Sequence, residues 1–336
     1  ERASIYPGVV VETKSVRSYP YGTLGGQVLG YVGEINEKEL AAKGGTLPAG
    51  ATTTDPPATT TTVEGVDPKP YVPGDLIGKS GVEQSYEAYL RAVPGSRTIE
   101  VNAKGDLIDV VKREAPKAGD DVWLSIDIDL QAQAERLLAA KVDALRGRTD
   151  KDGKRLSAPQ GSVVIQQPTT GQVLAMASYP PFDPASTVNG ISTALWQQLN
   201  DPANGRPLYN WALQGTYAPG STFKPITAYA AMSSGLLPTG NETYVDNGKY
   251  TLKACKGAKC EFRNAGGTAH GRVNLPRSLT VSSDVYYYWI GERFWVSRDR
   301  FGDAPIQDAA KEFGLGSKTG VKLLGENPGR MPTPQS

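Results

Sequence analysis

Cysteine is scarce. Two in 336 residues are too few for a disulfide scaffold or a cysteine-rich metal module. An excess of either charge is also lacking: 36 Lys+Arg stand against 35 Asp+Glu, a net +1, so nothing points to nucleic acid. No apolar run approaches the roughly 18 residues that cross a bilayer, and no signal peptide opens the chain. The sequence nevertheless starts abruptly, with Ile5-Tyr6-Pro7-Gly8-Val9-Val10-Val11 already leading into a strand. A membrane anchor is therefore expected upstream of it.

What the chain has in quantity is glycine (38) and proline (25), so turns are plentiful, and its length suits about two domains. Residues 9–11 read as a strand and 27–33 as a second apolar stretch. Asn36, with Glu39 three positions on, reads as the capping box of a short helix over 36–43. Residues 44–70 are rich in Thr and Pro and hold almost nothing large and apolar, which predicts a disordered insertion. Val82, Tyr86, Tyr89 and Leu90 form one helical stripe. Residues 98–101 and 107–111 flank Lys104-Gly105 as a hairpin.

From Asp121 onward the pattern changes. Residues 122–126 read as a strand, followed by a helix capped by Asp129 with Leu130, Ala134, Leu137, Leu138 and Leu145 on one side. Residues 162–166 and 173–177 flank Thr169-Thr170-Gly171 as another hairpin. Residues 275–295 read as helical throughout, and a shorter helix spans 305–313. Together these predict an α+β fold: a β-rich module, then a mixed sheet covered by helices.

The chemistry concentrates in Gly220-Ser221-Thr222-Phe223-Lys224-Pro225. Gly and Pro break the chain up to Ser221, and the apolar run behind it reads as a buried helix that Ser221 opens. Lys224, three residues on, shares its face. Serine is a weak nucleophile without an adjacent base, and a lysine serves as one when its amine form is favoured. The helix N-terminus offers donors to an oxyanion. Ser-x-x-Lys alone is weak evidence, and a capped helix with a solvated lysine is the bland alternative. A second cluster, Ser282-Ser283-Asp284, precedes an aromatic run over 285–289. There Ser282 can relay a proton and Asp284 can hold Lys224 or substrate. Alternatively, Ser282 or Ser283 simply caps the helix behind it.

The stretch Ala218-Pro219-Gly220-Ser221-Thr222-Phe223-Lys224-Pro225 resembles the nucleophile region of class B penicillin-binding proteins, and residues 164–184 resemble the first hairpin of their catalytic module. Leu29-Gly30-Tyr31-Val32-Gly33-Glu34 and Gly78-Lys79-Ser80-Gly81-Val82-Glu83 look like the pedestal module of elongation-type members. The resemblance implies a pedestal over 1–118 and a penicillin-binding transpeptidase domain over 119–336. It assigns Ser221 as nucleophile, Lys224 as base, and Ser282 and Asp284 as the second motif. It implies peptidoglycan stem peptides as substrate, acylation by β-lactams and a membrane glycan polymerase as partner. It places the protein at the extracytoplasmic face of the cell membrane, with no cofactor. A scaffold without chemistry, or a β-lactam sensor or hydrolase, is the alternative. Lys318-Thr319-Gly320 mimics the family's third motif, but it follows a helix end, has Val321 where Thr or Ser is expected, and comes too soon after Ser282. It is read as a decoy. The true motif is expected beyond Ser336, so that residues 1–336 alone would acylate more slowly than a longer form.

Cys255 and Cys260 leave two readings: a zinc site with His270 and Asp246 or Glu261, or a short disulfide in an exported loop. The loose spacing and the single histidine favour the disulfide.

Overall fold

The computed structural model describes residues 16–44, 70–103, 107–150, 152–253, 255 and 260–333. The expected strand at 9–11, nearly all of the Thr/Pro insertion and the Lys104-Gly105 turn lie outside them. The fold is α+β. Among the described residues every strand pairing is antiparallel, and the strands form five two-stranded sheets. No described helix is long and apolar enough to cross a membrane.

The contacts divide the chain into two units, residues 1–215 with 322–325, and residues 216–321 with 326–336. In the first, the Asn36 capping box is present with both hydrogen bonds made. The two glycine-rich stretches meet there: Val32–Glu34 pairs with Leu76–Gly78. Gly30 has φ +78°, and a Cβ on it would lie 1.9 Å from the Ser80 carbonyl oxygen, so only glycine fits. The hairpins form as Ser96–Val101 with Leu107–Glu114 and Gly161–Gln166 with Val173–Tyr179. The long helix runs Ile128–Arg146. Its cap is Asp127, not Asp129, because the Asp127 side chain accepts from the amides of Asp129 and Leu130. Ala134, Leu138 and Val142 pack it onto Ala175 and Ala177 of the hairpin, while Leu137 stays exposed.

Two further expectations in this unit fail for local reasons. Residues 122–126 form no strand; Ser125 hydrogen-bonds the Val173 carbonyl through its side chain, the Asp127 amide donates to the Leu174 carbonyl, and Val122 and Ile126 pack beside Met176. The 82–90 stripe splits into Gly81–Ser85 and Glu87–Leu90, with Tyr86 at the joint.

The second unit is built on the Lys224–Ser233 and Asp284–Val296 helices. Ala228, Ala230 and Ala231 of the first pack with Tyr286, Ile290 and Phe294 of the second, and Ala309 of the Pro305–Glu312 helix joins them. Small residues on one side and large ones on the other let the backbones approach closely. Truncating any of the three large residues to alanine would cost about 2–5 kcal/mol. The expected single helix over 275–295 is two, Leu275–Thr280 and Asp284–Val296. The break falls at Ser282, whose φ is +53°.

Candidate active site

All four candidate residues lie in the second unit. Ser221 does not open the α-helix itself. It sits in a 3-10 turn, Gly220–Phe223, and the α-helix begins at Lys224. Gly220 has φ +56°, a left-handed turn that glycine adopts without strain. Pro225 lies in the first helical turn, where its missing N–H has no partner to lose. The result is an exposed Ser221 beside a Lys224 that is only 8 % exposed.

Lys224 Nζ donates to the Ser282 carbonyl at 2.7 Å and to the Ser282 Oγ at 3.0 Å. It also pairs with Asp284 Oδ1 at 2.7 Å. The three protons of an ammonium are thus matched by three acceptors. The Ser282 hydroxyl donates in turn to Ser221 Oγ at 3.1 Å. The structure therefore brings Ser221, Lys224, Ser282 and Asp284 to one point, with the Ser282 hydroxyl bonded to both Ser221 Oγ and Lys224 Nζ. The Tyr287 ring lies 5.6 Å from the Lys224 nitrogen and walls it from one side. Burial raises the Tyr287 phenol above its ordinary range, against a lowering hydrogen bond with Ser278, so this wall stays neutral at physiological pH.

Ser282 and Ser283 divide their tasks. Ser283 caps the Asp284–Val296 helix, accepting from the Tyr286 amide at 3.1 Å. Ser282, with its left-handed backbone, is released from helical geometry and turned to Lys224.

Sequence reasoning missed Asp246 and Asn264 in this role. Asp246 is fully buried and accepts from Ser283, Asn264 and the Gly248 amide. Each residue looks like ordinary turn chemistry on its own, and no local spacing ties either to Ser283. The sequence offers Asp246 only as a possible zinc ligand. That zinc reading gives way to the disulfide: Cys255 and Cys260 are joined, with S–S 1.99 Å, so neither thiolate remains to bind metal. Lys318-Thr319-Gly320 lies in an exposed loop, where the Thr319 amide donates to Glu326 at 2.7 Å. Among the described residues no hydrogen bond or ion pair joins it to the four-residue cluster.

The pattern of the penicillin binding protein transpeptidase domain matches residues 161–336, and that of the penicillin-binding protein dimerisation domain matches residues 1–124. The peptidoglycan D,D-transpeptidase MrdA of Acinetobacter baumannii is 33% identical over 330 residues, covering 98% of this chain and 41% of the relative. The chain thus spans less than half the length of that curated relative. Among solved structures, Pseudomonas aeruginosa PBP2 in complex with WCK 5153 is 29% identical with a TM-score of 0.66, over 97% of this chain and 56% of that one. A chain from a peptidoglycan synthase complex that coordinates polymerization and crosslinking is also 29% identical, with a TM-score of 0.67, over 95% of this chain and 48% of its own.

Proposed function

The chain belongs to the penicillin binding protein transpeptidase family, and from that premise we propose that it is part of a peptidoglycan D,D-transpeptidase working through an acyl-enzyme on Ser221. The observation that carries the proposal is the continuous path from the exposed Ser221 Oγ through Ser282 Oγ to the buried Lys224 Nζ. A solvated lysine on a capped helix would show no such path.

The chemistry follows the path. Ser221 Oγ attacks the carbonyl carbon of the penultimate residue in a D-Ala-D-Ala stem peptide. With Lys224 as the neutral amine both hydroxyls turn round, Ser221 donating to Ser282 and Ser282 to Lys224, so the Ser221 proton passes to the Ser282 oxygen while the Ser282 proton moves to Lys224. Asp284 fixes the Lys224 nitrogen against Ser282 throughout. The substrate carbonyl becomes an oxyanion, for which the Ser221 backbone N–H is one donor. Collapse breaks the amide bond, and the departing nitrogen takes the proton back from Lys224 through Ser282. This frees D-alanine and leaves an ester on Ser221. An amine from a neighbouring strand then attacks that ester, its proton passing to Lys224 through Ser282; the acyl C–O bond breaks, the new amide is released, and the Ser221 oxygen takes the proton back by the same route. A β-lactam acylates Ser221 by the first half of the sequence.

The pedestal over 1–118 and the transpeptidase domain over 119–336 belong to the same proposal. So do an extracytoplasmic position at the cell membrane and a membrane glycan polymerase as partner. The similarity to a chain of the peptidoglycan synthase complex supports that partner.

The test is covalent labelling by a fluorescent penicillin of the full-length protein that carries this sequence, with Ser221→Ala as the blank. A stable label on the parent and none on the variant is the expected result. A label that turns over within seconds favours a hydrolase. A label that survives Ser221→Ala refutes the assignment.

A further inference from the structure

Asp246 ends the Tyr244–Asp246 strand, and nothing in the acyl-transfer steps uses it. Burying a carboxylate is costly unless it is well satisfied. Here both oxygens are. Oδ1 accepts from the Gly248 amide at 2.8 Å and from Asn264 Nδ2 at 2.9 Å. Oδ2 accepts from Asn264 Nδ2 at 2.8 Å and from the Ser283 hydroxyl at 2.6 Å. Among the described residues no lysine or arginine forms an ion pair with it. Burial alone pushes the Asp246 carboxyl up. The hydrogen bonds from Ser283, Asn264 and Gly248, with the nearby His270, outweigh burial and hold it below the ordinary carboxylate range.

What this carboxylate grips is the segment that carries Ser282 and Asp284. Ser283, fully buried, sits between them and is held through its hydroxyl. Asn264, 4 % exposed, is held by Asp246, and its own Oδ1 accepts from the Val285 amide at 3.0 Å. The chain is therefore fastened at 283 and at 285. Just before the first fastening, Ser282 adopts the left-handed backbone that a serine rarely takes. Such strain persists only where the surroundings over-determine it. The strained residue is also the one that offers both its carbonyl and its hydroxyl to Lys224.

We propose that Asp246 is a positioning residue which, through Ser283 and Asn264, holds Ser282 in the left-handed geometry that links Ser221 to Lys224. A carboxylate is needed because all its partners here are donors. An amide in its place would turn an NH2 toward the Asn264 NH2 in either orientation, and toward the Gly248 N–H in one of them. The consequence for acyl transfer rests on the reading of the site given above.

The experiment uses the full-length protein carrying this sequence, with Asp246→Asn, Ser283→Ala and Ser283→Thr, each made in the parent and in a Ser282→Ala background. The acylation rate constant and the half-saturating concentration are measured with a fluorescent penicillin. Backbone amide exchange is measured at residues 282–285. In the parent, Asp246→Asn slows acylation about 10- to 100-fold, with the half-saturating concentration moving less than about twofold. In the Ser282→Ala background the same change has less than about a twofold effect, because the hydroxyl that links Ser221 to Lys224 is gone. Ser283→Ala behaves like Asp246→Asn, and Ser283→Thr restores the rate. An equal slowing in both backgrounds, or an unchanged parent rate, overturns the proposal. If Asp246→Asn does not fold, the Ser283→Ala and Ser283→Thr pair decides by the same criteria. If the parent takes no label at Ser221, the acyl-transfer reading fails by itself. The positioning claim is then decided by amide exchange, which accelerates at least about tenfold at 282–285 in Asp246→Asn, or in Ser283→Ala where that variant does not fold, if it is right and stays unchanged if it is wrong.

Discussion

Replacing Ser282 by glycine and by alanine separates backbone strain from side-chain chemistry at one position. Both changes remove the hydroxyl and its bonds to Lys224 and Ser221. Ser282 is exposed, so that loss is about 1 kcal/mol in either variant. Alanine keeps the left-handed cost of φ +53°, about 1–2 kcal/mol. Glycine escapes it but loses about 0.5–1 kcal/mol more chain entropy on folding. The Ser282→Gly protein should therefore be the more stable of the two by about 0.5–1 kcal/mol. At an ordinary position alanine would lead by that amount, so the sign itself is informative. Urea denaturation of the two variants, followed by tryptophan fluorescence at equal m-values, reads the difference as a shift in midpoint. Both should lose acylation alike, by about 10²–10⁴, since neither can relay a proton. Alanine more stable than glycine, with m unchanged, would refute the left-handed geometry and the strain argument built on it.

Lys224→Met should leave the fold intact while slowing penicillin acylation by about 10²–10⁴ in the full-length protein; an unchanged rate removes Lys224 from the mechanism. Reducing the Cys255–Cys260 disulfide reopens a loop with a sequence separation of 5, and should lower denaturant stability by about 2 kcal/mol. A loss near zero would show that the antiparallel pairing of Lys249–Thr251 with Glu261–Arg263 holds the loop without the cross-link. Glu83 is buried, and burial raises its carboxyl above the ordinary range in spite of the Arg17 ion pair and the Tyr19 hydrogen bond. A raised folded-state pKa gives stability that is full below the unfolded value and is lost as pH rises through the folded one. Glu83→Gln should therefore gain on the parent between pH 4 and pH 7 in chemical denaturation, and a gain in the opposite direction would falsify that sign.

The sequence made visible those parts of the site that are set by local geometry. Ser221 and Lys224 are three residues apart, so any helical turn brings them to one side. Ser283 as a cap follows from its place before an apolar run, as Asn36 and Glu39 did for a capping box. The decisive feature stayed hidden because apolar periodicity does not register one left-handed residue. The contacts that hold Ser282 come from Asp246, 37 residues before Ser283, and from Asn264, 21 before Val285. The same blindness to distant partners gave a strand at 122–126, where the segment instead meets the Val173–Tyr179 strand through the Ser125 side chain and the packing of Val122 and Ile126.

An unbroken helix over 275–295 could not bring Ser282 and Asp284 to Lys224 together. In an α-helix successive residues turn about 100° around the axis, so positions 282 and 284 would point about 160° apart. Either Ser282 or Asp284 could then face Lys224, but not both. In the structure both do, at 3.0 Å and 2.7 Å. The break after the Leu275–Thr280 helix puts Ser282 outside helical geometry and leaves Asp284 as the first residue of the next helix. One strained residue thus converts two opposed side chains into convergent ones, and the lysine between them is the group that needs both.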